Sequence, residues 1–132
     1  MSIAAYKRTI RESESPRQIE RRVFVRVTGE LDKQSQAFDN AAKRADRGDM
    51  LANGLRNHLT DNLKLWTTIK FDLSQPENGL PPQLKAGLIS LALFVERQTA
   101  QVIGGNAGIG VLVQINQSLI SGLSGANPGP RG

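Results

Sequence analysis

Apolar residues recur along this chain at steps of three, four and seven, the spacing of a helix face. In the first such stretch Ile19, Val23, Val27, Leu31, Phe38 and Ala42 fall on one side. Ser15 and Pro16 stand ahead of it, a helix-start pair: the serine hydroxyl can cap a free N–H and proline fits the first turn. This predicts a first helix from Ser15 to about Ala45. A strand over Arg22 to Thr28 is the rival, because that segment is β-branched and partly alternates. Arg47-Gly48-Asp49 reads as the break, with Gly48 at the helix end and Asp49 capping the next helix. Leu51, Leu55, Leu59, Asn62, Leu63, Trp66, Ile69 and Leu73 then keep a period near 3.6, predicting a second helix.

Ser74 to Gly79 is a turn cluster. Pro81 and Pro82 open a third helix whose main stripe is Leu84, Leu88, Leu91, Val95, Thr99 and Val102, with Ala86, Ile89, Ala92 and Phe94 around it. A helix apolar over so much of its girth is expected at the centre of a bundle. The glycine-rich run Gly104 to Gly110 reads as a flexible interhelical joint; a phosphate cradle would need a following Lys-Ser/Thr pair, which is missing. A last helix is predicted over Val111 to Leu123, with Leu112, Ile115, Leu119, Ile120 and Leu123 inward and Asn116 exposed. The expected fold is an all-α antiparallel helical bundle of about four main helices. Residues 1–14 are expected as a flexible basic arm, 15–124 as the single domain and 125–132 as a disordered tail.

Composition narrows the function. With 132 residues and no cysteine there is room for one core, but no disulfide, thiolate metal site or cysteine nucleophile. The lone histidine, His58, makes no metal site by itself and reads as a boundary residue. No apolar run reaches the roughly 18 residues of a membrane span; the longest is Leu88 to Val95, broken by Ser90. No secretory signal is visible, and the lack of cysteine permits a cytosolic location. Carboxylates are scattered, and the pairs Glu12/Glu14 and Glu30/Asp32 diverge on a helix. No serine sits in a nucleophile elbow. The chain therefore reads as a binding protein with no cofactor, and not as an enzyme. Its net charge of +5 is concentrated in Lys7, Arg8, Arg11, Arg17, Arg21, Arg22 and Arg26, either a solvated face or an arm for an acidic partner or nucleic acid. Ile3, Tyr6 and Ile10 are candidate docking points on that arm.

Two short blocks stand out, Asn62-Leu63-Lys64-Leu65-Trp66 and Phe94-Val95-Glu96-Arg97-Gln98-Thr99. Trp66 fits either a core position or a hot spot for a partner helix. Asn62 and Gln98 put amides on apolar stripes, where an amide satisfies a buried backbone group or faces a ligand. The candidate partner-binding set is Asn62, Leu65, Trp66, Phe94 and Gln98.

In order and spacing, several blocks resemble the FlaF family of flagellar biosynthesis proteins over about residues 4–123. They are Ala5-Tyr6, Ser15-Pro16-Arg17 with Glu20, Asn62 to Trp66, Asn78-Gly79-Leu80-Pro81, Phe94-Val95 with Gln98-Thr99, Ile115-Asn116 and Gly122-Leu123. The resemblance implies a small cytoplasmic helical protein that acts as a secretion chaperone for flagellin, alongside a partner regulator of the FlbT family. It also favours helix over strand at Val23 to Val27. Flagellin termini are amphipathic, so an open apolar groove is the expected way of covering them. The alternatives are an RNA-binding regulator using the basic residues 1–26, or an adaptor acting only through the FlbT-type regulator. Low aromatic content and the lack of an RNA-module motif count against the former.

Overall fold

The computed structural model describes residues 3–123, with side chains from residue 21 onward. The side chains of the candidate docking points Ile3, Tyr6 and Ile10, and the expected tail, lie outside what is described. Helix α1 runs from Ile3 to Asn40, α2 from Arg44 to Met50, α3 from Arg56 to Leu73, α4 from Pro82 to Ile103 and α5 from Gly110 to Leu123. Four of these are main helices, α2 being a two-turn connector, and there is no strand among the described residues. Val23 to Val27 is helical. β-Branching lowers helix propensity by only tenths of a kcal/mol per residue, and burying Phe24, Val27 and Leu31 on one face outweighs that.

Three boundaries differ from expectation. The first helix begins at Ile3, so Ser15 and Pro16 lie inside it. It ends at Asn40 and not near Ala45; Ala42 lies past the end and is exposed. Gly48 and Asp49 sit within α2, and the break comes later, where Asn53 (φ −92°, ψ 28°) and Gly54 (φ 118°) leave the helical region. That positive φ suits glycine, so the kink falls at Gly54, inside the wide turn Leu51–Leu55 that joins α2 to α3. Spacing alone ran straight through it because Leu51, Leu55 and Leu59 remain buried on both sides of the kink.

Side-chain pairs set the packing directions. Phe24 meets Trp66 edge-on, with centroids 5.9 Å apart, while Glu30 lies 3.5 Å from His58. Residue numbers rise on α1 as they fall on α3, so these helices are antiparallel. Thr28 with Asn116, and Asp39 with Ile109 and Gly110, place α5 antiparallel to α1 in the same way. The α3–α4 turn is short; Asn78 closes it by accepting the Leu80 N–H at 3.0 Å and donating to Asp72. Lys70 and Glu96 then pair across α3 and α4 at 2.5 Å.

The order across the bundle is thus α5, α1, α3, α4. The two outer helices scarcely touch. The apolar third helix is therefore an edge and not the centre. Only its second half, with Ala92, Val95, Thr99 and Val102, enters the core.

The Glu30 carboxyl is held below its ordinary pKa, chiefly by the Lys33 hydrogen bond and charge and less by His58 and Arg26. Its stabilising contribution is present above the unfolded-state pKa and is lost as pH falls through the lowered folded-state value. Glu30→Gln is therefore expected to melt slightly below the parent at neutral pH, with the gap closing as the pH falls through that value. A gap that persisted unchanged in acid would show that the charge has no part in it.

Candidate partner-binding groove

Because α4 and α5 flank the bundle without closing on each other, a groove of about 530 Å³ stays open between them. Leu80, Leu84, Leu88 and Leu91 line one side, and Ile115, Leu119, Ser118 and Gly122 the other. The leucines recur at steps of four, four and three, the spacing with which one helix offers a ridge to another. Leu84 is 49% exposed and Leu91 38%, so an apolar row faces water. Among the described residues, no charged side chain lines the groove, and Ser118 is the only hydroxyl there. From Leu80 to Leu91 it extends about 16 Å at helical rise, three turns of a partner helix. Such a surface can cover an amphipathic helix.

None of the five residues expected to bind a partner is among those that line the groove. Asn62 and Trp66 are completely buried. The Trp66 indole N–H donates to Asn116 Oδ1 at 2.9 Å. Asn116 Nδ2 donates in turn to Asn62 Oδ1 at 2.7 Å and to Thr28 Oγ1 at 3.1 Å. The Trp66 alternative thus resolves to core. Asn116, expected exposed, has no exposed surface and is the hub of this network. Thr28 joins it from inside the β-branched run, where nothing in the sequence separated it from its neighbours. Leu65 and Phe94 are half-buried, Leu65 packing on the core cluster.

Gln98 is half-buried too and donates to the Gly108 carbonyl at 2.8 Å. It ties down the glycine-rich joint, and it does not act alone. Asp39 accepts the N–H groups of Ile109 and Gly110 at 2.7 and 2.9 Å, at the start of α5. Arg47 donates to the carbonyls of Gly105 and Ala41, and Arg44 donates to Asn106. Gly105 takes φ 79°, a left-handed value open to glycine. The expected flexible joint is accordingly clamped from α1, α2 and α4. The polar cleft there, about 440 Å³, has Arg44 and Arg47 on its walls, both already engaged with the joint.

The family model for flagellar protein FlaF matches residues 2–123, nearly the whole chain. The chain belongs to the FlaF family of flagellar proteins. No curated protein and no solved structure matches it. Membership gives this protein a flagellar role. Among the described residues of this FlaF-family chain, no helix is long and apolar enough to cross a membrane. No group of three or more His, Asp and Glu among them could hold a metal ion.

Proposed function

We propose that this protein is a cytoplasmic secretion chaperone that binds flagellin and is not an enzyme. An amphipathic terminal helix of flagellin lies in the groove between α4 and α5. The open apolar groove carries this reading, because family membership supplies a flagellar context and the groove matches the chemistry of flagellin ends. Before export those ends have no filament neighbours to bury their apolar faces. Covering them prevents self-association, and the complex must dissociate at export, so moderate affinity is expected. Free chaperone then reports how much flagellin is waiting, with a FlbT-type regulator as the second partner. Asn62 and Trp66 support this surface from the core through Asn116. Leu65 packs on the same core, and Gln98 fixes the joint that leads into α5; Phe94 is half-buried on α4.

Leu84→Glu and Leu88→Glu place a charge in the groove while leaving the buried core untouched. Each is expected to weaken flagellin binding by about 2 kcal/mol or more in calorimetry, with thermal melts close to that of the parent. Parent-like binding by both variants would rule the groove out. A steep loss of parent binding with added salt would favour a charged, nucleic-acid-like contact through the basic residues instead.

A further inference from the structure

The wall of the groove made by α5 depends on how that helix is rotated about its axis. Ile115 and Leu119 line the groove while also packing on the core cluster. They do so only while Asn116, about 100° round the helix from Ile115 and one turn before Leu119, points into the core. There Asn116 meets α3 through Trp66 and Asn62, and α1 through Thr28. Little else restrains that wall from the groove side, since α4 scarcely touches α5. The network is also incompletely satisfied, as the Nδ2 of Asn62 is buried without a hydrogen-bond partner among the described residues. A partly satisfied buried network gains little stability over apolar packing. What such a network does supply is one register out of several that apolar contacts would tolerate.

We propose that Asn116, with Trp66, Asn62 and Thr28, is a positioning residue for the groove: its hydrogen bonds hold α5 at the rotation and distance from α4 at which a partner helix fits. The binding half of this proposal rests on the flagellin reading; the positioning half does not. A partner that binds only one arrangement of α5 loses apparent affinity in proportion to the time spent in others.

The chain has no cysteine, so Gln83→Cys and Gln117→Cys allow spin labels on exposed positions of α4 and α5, outside the groove lining. Pulsed electron resonance then reads the distance distribution between the two helices in the full chain. In that background Asn116→Leu removes all three hydrogen bonds, and Thr28→Val removes one while keeping the shape. The distribution is expected to broaden or shift in Asn116→Leu, and less so in Thr28→Val. Flagellin affinity should fall about tenfold in Asn116→Leu, at a temperature where circular dichroism shows it folded. A folded Asn116→Leu with the parent's distance distribution, or with the parent's flagellin affinity, overturns the proposal. If Asn116→Leu does not fold, the same comparison on Thr28→Val decides it. If the parent itself fails to bind flagellin, the chaperone reading falls, and the distance distribution alone decides whether the network positions α5.

Discussion

Trp66→Ala is expected to remove about 3–5 kcal/mol of unfolding free energy, the usual cost of deleting a buried large aromatic. The residue has no exposed surface and packs edge-to-face on Phe24 at an interplanar angle of 84°. Its loss opens a cavity where α1 meets α3 and strips Asn116 of its donor. Against a total stability of about 5–15 kcal/mol for ordinary domains, that is enough to leave the variant close to unfolded. Trp66→Phe separates the two contributions. It keeps an aromatic ring beside Phe24 and loses the indole N–H, so its cost should be nearer the 1–3 kcal/mol or so of a buried acceptor left unpaired. Urea unfolding followed by circular dichroism checks both. Equal losses in the two variants would mean that the ring contributes little and that packing does not dominate at this position.

The second large effect is expected at Gly108, a position with no side chain to lose. A Cβ there would lie 2.7 Å from Asp39 Oδ1 and 2.8 Å from its Cγ, closer than real contacts allow. The carboxylate cannot retreat without releasing the Ile109 and Gly110 N–H groups that it accepts. Those bonds are charge-assisted and sit at a helix N-terminus, where negative charge is favoured. Gly108→Ala should therefore cost about 2 kcal/mol. Asp39→Ala should cost a similar amount by losing the same bonds. In the Asp39→Ala background the clash is gone, so Gly108→Ala should then cost little. A double-mutant cycle tests this coupling. Simple additivity of the two losses would show that the close approach of Asp39 is not what keeps position 108 glycine.

Three of the four main helices, with their approximate extents, follow from spacing alone, because burying one face of a helix requires a repeat near 3.6. Helix at Val23 to Val27, and with it the all-α fold, also leaned on the family resemblance. The sequence also carried the family, through blocks such as Asn62 to Trp66 and Asn78 to Pro81 whose order survives across the chain. It marked Asn62, Trp66 and Gln98 as unusual without saying why, since an amide on an apolar stripe looks the same whether it meets a ligand or a buried partner. Asn116 and Thr28, which complete the network of Asn62 and Trp66, are distant in sequence and come close only when α1, α3 and α5 pack. Gly108, by contrast, lies near Gln98 in sequence but meets it only because the joint folds back on α4. Helix boundaries near Asn40 and Gly54 were similarly hidden, because Leu51, Leu55 and Leu59 keep their period through the kink. The flank position of α4 was decided by the tertiary structure as well. Its leucines specify an apolar face but not what lies against it. Only the packing order α5, α1, α3, α4 leaves Leu84 and Leu91 facing an open groove, and that order is set by contacts between helices, which no periodicity within one helix encodes.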